Sequence, residues 1–272
     1  MKERILLLAC LVFLGACQST KKDAQDMKPL PTTIEEAANS PFRTEANRAR
    51  DIYRHPVETL NFFGLKPEMT VVEISPGAGW YMEILAPLVS SKGQYIAALP
   101  PSNNEYMKRL NEKVQSWIDN HPELKDKIQT ATFNPPEDIV PEGTADMVLT
   151  FRNVHNWMAR GTAQEAFNAF YRALKPGGIL GVVEHRANPK SKRDPKAKSG
   201  YVREADVIQM AQKAGFKLEA KSEINANPKD TKNHPEGVWT LPPTLRLGEK
   251  NKDKYLAIGE SDRMTLKFVK PQ

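Results

Sequence analysis

The chain has 272 residues, of which 40% are hydrophobic and 26% charged, enough to bury a core as one large domain or two small ones. Its formal net charge is only +6, and it has no dense basic stripe with interleaved aromatic residues, so we do not expect nucleic-acid binding. The two cysteines, Cys10 and Cys17, both lie near the N-terminus. The rest of the chain therefore has no thiol for a disulfide, a nucleophile or a metal site.

The first residues have the pattern of a secretory signal. Lys2 and Arg4 precede an apolar run over 5–13, which is too short for an ordinary membrane-spanning helix. The following Leu14-Gly15-Ala16-Cys17 resembles the bacterial lipobox, in which the cysteine is lipidated and becomes the first residue after cleavage. We predict a signal peptide over 1–16 and a stable acyl anchor on Cys17. A simple signal peptide, or an anchor helix with an unrelated cysteine, is the alternative.

A polar segment follows the predicted anchor. Residues 17–41 contain few large apolar side chains and predict a flexible tether, which leads to a folded domain over 42–272. Gln18, rather than aspartate, follows the cysteine. By the usual sorting pattern of Gram-negative cells this favours the outer membrane, with the domain facing the periplasm.

Beyond the tether, hydrophobic periodicity alternates between helical and strand patterns, which is typical of an α/β domain. In chain order the pattern predicts a helix over 45–63, a strand over 70–74, a helix over 81–89, a strand over 94–99, a helix over 104–120, strands over 128–133 and 145–151, a helix over 163–174, a strand over 179–184, a helix over 204–214 and strands over 216–224 and 264–269. The strand over 179–184 is strongly apolar, as expected inside a parallel sheet.

Residues 225–261 form a long polar segment that is rich in proline, lysine and asparagine. Segments of this length in a compact domain are usually functional or disordered. A flap, a partner surface and an unstructured excursion all remain open.

A glycine turn is the strongest local signal. In the run over 71–80, an apolar strand that contains Glu73 is followed by a turn with Gly77 and Gly79 and then by a helical pattern. Glycines allow a sharp turn and a close approach to a ligand, which would meet free amide N–H groups at the start of the helix. By itself, such a turn could also be purely structural.

This turn resembles motif I of the class I S-adenosylmethionine (SAM) dependent methyltransferases. Asp146-Met147-Val148-Leu149 resembles the acidic start of their fourth strand, and Leu174-Lys175-Pro176-Gly177-Gly178 resembles the turn before their fifth. The resemblance covers about residues 47–270. It implies a Rossmann-like, seven-stranded, mostly parallel sheet with helices on both faces and a reversed terminal hairpin, and SAM as the cofactor.

Four further runs resemble a subgroup known mostly as predicted methyltransferases. They are Phe151-Arg152-Asn153-Val154-His155-Asn156-Trp157, Val183-Glu184-His185-Arg186-Ala187, Asn227-Pro228-Lys229-Asp230 and Leu266-Lys267-Phe268-Val269-Lys270-Pro271. The resemblance to this subgroup implies no particular substrate. We therefore expect an unknown small or envelope-associated acceptor, and the oligomeric state is left open.

The resemblance implies a set of cofactor-binding residues. Glu73 would lie near the methionine end of SAM and orient its amine, although a carboxylate that only caps the turn is the simpler alternative. Gly77 and Gly79 would form the floor of the pocket. Ser75 replaces the first glycine of the motif, which is tolerable if its backbone angle is ordinary.

The resemblance weakens at the nucleoside end of the pocket. The strand over 94–99 ends without the usual acidic residue for the ribose hydroxyls, and Leu99 stands at the expected position. Losing that charged hydrogen bond would cost about 1.5–3 kcal/mol. Asn134 stands where an aspartate often meets the adenine amino group, and its amide oxygen can accept the same hydrogen bond.

Polar residues that follow two strands are the candidate catalytic groups. His155 and His185 come after the strands over 145–151 and 179–184, at the edge of the sheet where ligands bind, and imidazoles titrate near neutrality. Glu184 would polarise or position His185. The alternative is that these side chains only fix loops. We predict no metal site, because the two histidines are far apart in sequence and lack a carboxylate partner motif.

Trp80, Tyr81 and Trp157 are either pocket walls or ordinary core residues.

Two functions remain in competition: a methyltransferase, and a non-catalytic envelope lipoprotein that keeps the fold as a binding or scaffold module. The missing ribose carboxylate favours the module, as does export away from cytoplasmic SAM. Glu73, the two glycines and the polar strand ends favour the enzyme.

Overall fold

The computed structural model describes residues 29–272. The predicted signal peptide and the lipidation site at Cys17 lie outside the described residues. Within residues 29–272, no helix has both the length and the apolar character needed to cross a membrane.

Seven strands form one sheet in the order β3-β2-β1-β4-β5-β7-β6. Strands β1 to β5 pair in parallel, and β7 runs antiparallel to both β5 and β6. This is the Rossmann-like, mostly parallel sheet that the sequence predicts, with its reversed terminal hairpin. The strands are β1 Thr70–Ile74, β2 Gln94–Leu99, β3 Ile128–Thr132, β4 Ala145–Phe151, β5 Leu174–His185, β6 Lys217–Ser222 and β7 Arg263–Val269.

Helices cover both faces of the sheet. They are α1 Ile34–Ala38, α2 Glu45–Arg48, α3 Asp51–Arg54, α4 Pro56–Phe63, α5 Met82–Val89, α6 Glu105–Asp119, α7 Pro122–Lys125, α8 Val154–Arg160, α9 Ala163–Ala173, α10 Glu204–Ala214 and α11 Lys252–Ile258. Because strand side chains alternate between faces, Val72 and Ile74 pack in the cluster with α9 and α10, whereas Val71 packs in the cluster with α4 and α5.

The predicted helix over 45–63 is wrong as a single helix. It is divided into α2, α3 and α4. His55 has a left-handed backbone with φ of 41°, and Pro56 occupies the first turn of α4, where a missing N–H is harmless. The chain bends here and brings the first helices over the carboxyl edge of the sheet.

The turn predicted at 174–178 lies inside β5. This strand already begins at Leu174, and its register against β4 shifts between Ala145 and Met147. Gly177 has φ of 78°, as expected where a strand carries a bulge. The glycines therefore interrupt the pairing without ending the strand.

The predicted tether over 17–41 extends too far into the domain. Thr33 caps α1 by accepting a hydrogen bond from the Glu36 amide at 3.1 Å, and Ile34 and Ala37 are buried in the cluster with α5. The folded domain therefore already includes residues 33–41. The sequence pattern does not predict α1 because its apolar side chains form a single short group in a polar segment.

Residues 225–261 pack over the carboxyl edge of the sheet. They include a short 3-10 helix, Gly237–Thr240, as well as α11. The buried Asp230 carboxylate accepts hydrogen bonds from the Tyr201 hydroxyl at 2.9 Å and from the Asp262 amide at 2.8 Å. The segment is therefore tied to the start of β7, and it forms a cover for the cavity described below.

Candidate active site

A cavity of about 390 Å³ lies at the carboxyl edge of the parallel strands, where open α/β sheets bind ligands. Its size is within the range of roughly 300–1,000 Å³ for small-molecule sites. The glycine turn, the ends of β1, β2, β4 and β5, and the start of β7 contribute to its walls. The segment 225–261 adds Trp239, Pro242 and Pro243.

Three residues of the glycine turn have a left-handed backbone conformation. Ser75, Gly77 and Gly79 have φ of 50°, 65° and 86°, so Ser75 does not meet the condition of an ordinary backbone angle. The Ser75 amide donates to the Ala98 carbonyl at 2.8 Å, and the Asn153 side chain donates to the Ile74 carbonyl at 3.0 Å. These bonds hold a strained residue beside the cavity.

The two glycines of the turn have different surroundings. Gly77 lines the cavity, and a Cβ built there would meet no atom within 4 Å. Gly79 does not line the cavity, and its Cβ would face Met82 of α5 at 3.8 Å. The prediction of a floor therefore fits Gly77 only. Gly79 instead allows the left-handed step into the helix.

Glu73 lies near the end of β1 and lines the cavity, although only 2% of its surface is exposed. Its carboxylate accepts a hydrogen bond of 2.6 Å from the Tyr95 hydroxyl. Burial raises the pKa of Glu73 to about 7, against the opposing effects of the Tyr95 hydrogen bond and the Arg152 charge. Near neutrality, a cationic ligand group would stabilise its ionised form.

Among the described residues, no acidic side chain lines the cavity beside the end of β2. Leu99 lines this end, as predicted for its position. Asn134 does not, because its side chain is exposed and donates to the Glu137 carboxylate at 3.2 Å. Asn111 of α6, which no sequence signal singled out, lines the cavity near Leu99 and donates to the Pro100 carbonyl at 2.8 Å.

The structure brings the two predicted histidines together around one carboxylate. Glu184 is fully buried, and it accepts hydrogen bonds from the His155 amide, the His155 Nδ1 and the His185 amide at 3.2, 3.1 and 2.7 Å. The ring centroids of the two histidines are 5.4 Å apart. Both histidines line the cavity and Glu184 does not. Glu184 therefore contacts the His155 ring and the two backbone amides without facing the cavity.

The expectation that these histidines lack a carboxylate partner is wrong. His155, Glu184 and His185 offer ligand atoms within 4.8 Å of one another, as a metal site would. However, both oxygens of Glu184 already accept N–H groups, and burial, the neighbouring His155 and the charges of nearby arginines hold the pKa of His185 well below 6.5. The occupied oxygens of Glu184 and the nearby positive charges do not favour a bound cation.

Aromatic side chains form much of the wall. Trp80, Tyr81 and Trp157 all line the cavity and are also buried, so the two interpretations of these residues hold together. Tyr81 stacks on Phe151 with ring centroids 3.5 Å apart. The wall is therefore rigid and largely apolar next to the glycine turn.

A group of arginines around Glu260 was missed by the sequence analysis. Glu260 accepts hydrogen bonds from Arg50 Nε at 2.7 Å, from Arg54 Nε at 3.3 Å and from the Arg263 guanidinium. Arg152, directly after β4, also lines the cavity and has φ of 61°. No local motif joins these residues. The only available signal was the position of Arg152 after a strand.

No protein-family model and no curated protein matches the chain. Solved structures do match. A SAM-dependent methyltransferase from Aquifex aeolicus is 19% identical, with a TM-score of 0.55 over 82% of this chain and 93% of that one. Phosphoethanolamine N-methyltransferase 2 from Haemonchus contortus, in complex with SAM, is 18% identical, with a TM-score of 0.52 over 81% of this chain and 53% of that one.

The [4+2]-cyclase SpnF is also similar, with 14% identity and a TM-score of 0.54 over 90% of this chain and 98% of that one. Proteins named for different reactions thus share this architecture, and function has to be argued from the site. What the comparisons establish is the architecture: the chain has the Rossmann-like fold of SAM-dependent methyltransferases.

Proposed function

We propose that the protein binds SAM in this cavity and transfers its methyl group to a small acceptor. The observation that carries the proposal is the arrangement of one cavity. The Glu73 carboxyl and the open turn at Gly77 lie on one side, and His155 on α8 and His185 at the end of β5 line the same cavity. The fold shared with SAM-dependent methyltransferases supports it.

The residues present fit the methionine end of SAM well. The Glu73 carboxylate would pair with the ammonium group, and the empty space beside Gly77 lets the ligand approach the backbone of the turn. At the other end, Leu99 contributes apolar contact and the amide of Asn111 on α6 is a polar group in the wall. We therefore expect weaker ribose binding than a carboxylate would give.

When bound, SAM supplies an electrophilic methyl group: a lone pair of the acceptor forms the new bond to the methyl carbon while the carbon–sulfur bond breaks, and its electron pair stays on sulfur to give the neutral thioether S-adenosylhomocysteine. His185 is neutral at physiological pH and can take the proton that an oxygen or nitrogen nucleophile loses. Its Nδ1 lies 2.5 Å from the Ser261 hydroxyl, so Nε2 is the nitrogen left for the acceptor.

Glu184 and Ser261 serve this step indirectly. The Glu184 carboxylate holds the His155 imidazole at Nδ1 and the backbone amide of His185, and Ser261 holds the ring of His185. Trp239 and the prolines of the segment 225–261 reduce contact with solvent above the site. Positioning and exclusion of water are the contributions that methyl transfer requires from a protein.

A non-catalytic binding module in the cell envelope is the second candidate. The apolar Leu99 and the position of Asn134 outside the cavity favour it, because both weaken recognition of a nucleoside. The proposed lipid anchor at Cys17 also favours it, since it would hold the domain away from cytoplasmic SAM. The module would keep the cavity for another ligand.

Calorimetric titration of the full-length protein in detergent with SAM and S-adenosylhomocysteine tests the proposal. We expect both to bind and a Glu73→Gln variant to bind neither tightly. Glu112→Gln, an exposed change on α6, is the matched control and should bind as the wild type does. Absence of heat and of a thermal shift at millimolar ligand would replace the enzyme with the binding module.

A further inference from the structure

The cavity has an uneven charge distribution. Five arginines and two glutamates line it: Arg50, Arg54, Arg152, Arg160, Arg263, Glu73 and Glu260. Even with both carboxyls ionised, the lining has three more positive than negative charges, and the raised pKa of Glu73 increases that excess at neutral pH. A concave site with one sign of charge concentrates ligands of the other sign.

Glu260 neutralises only part of this charge. It pairs with Arg50, Arg54 and Arg263. Burial raises the pKa of Glu260, but the charges of these arginines hold it down to about 2. Glu260 is therefore a single fixed negative charge among three positive ones. Arg263 also donates to the Tyr53 carbonyl at 2.9 Å, and its buried Nε has no hydrogen-bond partner among the described residues.

Arg152 has no carboxylate partner. Within the part of the chain that the structure describes, no acceptor lies within hydrogen-bond distance of its guanidinium and no acid lies within ion-pair distance. Burial and the neighbouring charge of Arg263 lower its pKa to about 10, so it stays a cation at neutral pH. An unpaired cation that is half-buried in a cavity wall is costly, and an anionic ligand would remove that cost.

The topology places Arg263 away from the Glu73 end of the cavity, whereas Arg152 follows β4, the neighbour of β1. His185 at the end of β5 is the cross-strand partner of Arg263 on β7, so their side chains share a face. On the other side, the Arg152 amide donates to the Val183 carbonyl of β5 at 2.7 Å. Arg152 and Arg263 therefore flank His185, and Arg263 lies three strands, or about 14 Å, from Glu73 on β1.

We propose that the methyl acceptor is a small anion with a carboxylate or phosphate group, which Arg152 and Arg263 bind beside His185. This inference rests on the proposed methyltransferase function. Guanidinium groups bind both oxyanions through paired hydrogen bonds. With its charged group between these arginines, the acceptor presents its oxygen or nitrogen nucleophile to His185, which takes the proton.

Titration of the full-length protein with inorganic phosphate at constant ionic strength tests this site. Each titration is run with and without saturating S-adenosylhomocysteine, because the carboxylate of the cofactor is the other possible occupant. We expect phosphate to bind in both cases and Arg152→Gln to weaken its binding by about tenfold or more. The affinity for S-adenosylhomocysteine should stay within about twofold. Arg109→Gln, an exposed arginine outside the cavity, is the matched control.

The melting temperature of Arg152→Gln separates binding from a structural role. Since the guanidinium has no partner among residues 29–272, its removal should raise the melting temperature without phosphate, whereas loss of a structural contact would lower it. Three results overturn the proposal: no phosphate binding, equal binding by wild type and Arg152→Gln, or displacement of phosphate by S-adenosylhomocysteine. If S-adenosylhomocysteine itself does not bind, the proposed methyltransferase function is wrong, and so is the assignment of the anion as a methyl acceptor. The phosphate titration then shows separately whether the arginines hold an anion.

Discussion

Glu73 is the residue at which stability and ligand binding should oppose each other. Replacing it by glutamine keeps the shape and an acceptor for the Tyr95 hydroxyl but removes the ionisable proton. The variant should be more stable than the wild type at neutral and alkaline pH, and it should bind SAM poorly because the partner of the ammonium group is gone. Such trade-offs are typical of functional sites.

The magnitude follows from the two pKa values. In the unfolded chain Glu73 ionises near 4.5, and in the folded protein near 7, so the unfolded state releases its proton first. The free energy of unfolding therefore falls as pH rises from 4.5 through 7. Relative to its value at lower pH, the loss is about 1 kcal/mol at pH 5 and about 3 kcal/mol at pH 8. A glutamine at position 73 does not ionise, so the variant has no such loss. The free energy of unfolding of Glu73→Gln should therefore gain about 2 kcal/mol on that of the wild type between these pH values.

For a domain of this size the change corresponds to about 4–8 °C in melting temperature. Calorimetric melts of wild type, Glu73→Gln and the exposed control Glu112→Gln at pH 5 and pH 8 measure it. The control should follow the wild type at both values. If the advantage of Glu73→Gln were the same at pH 5 and pH 8, the carboxyl would not be protonated by burial and the reasoning would be refuted.

Two further outcomes are expected. Leu99→Asp should strengthen SAM binding by about fivefold, or about 1 kcal/mol, in calorimetric titration; a folded variant with unchanged affinity would show that the ribose is held elsewhere along the wall. Cys17→Ser should release the protein from the membrane fraction or leave it unprocessed, and a variant that fractionates and migrates like the wild type would exclude a lipid anchor.

The sheet could be predicted from the sequence because its signals are local. Apolar runs at 94–99 and 145–151 coincide with β2 and β4, and the helix predicted at 204–214 coincides with α10. The N-terminal region could not be predicted in the same way. Its short helices gain their stability from tertiary packing, as Ile34 does against the cluster with α5, and such packing has no periodic signature over one turn.

The candidate site was predicted only where a residue ends a strand. His155, His185 and Glu73 follow or end strands, and topology alone places them at one edge. Asn134 also follows a strand, but its side chain turns to Glu137 and solvent. The arginines come from a helix, a loop and the antiparallel strand, up to 213 positions apart in the numbering from Arg50 to Arg263. Their meeting at Glu260 is a property of the fold.

The positions of the charges suggest how cofactor and acceptor affect each other. SAM has a sulfonium cation, and Arg152 lies unpaired in the same cavity, so the two repel each other until an anion binds. S-adenosylhomocysteine has a neutral sulfur and lacks this repulsion. Phosphate should therefore tighten the binding of SAM more than that of the thioether when both are titrated with and without it. Equal effects would mean that Arg152 and the sulfonium lie too far apart to interact, and the anionic acceptor would then serve positioning alone.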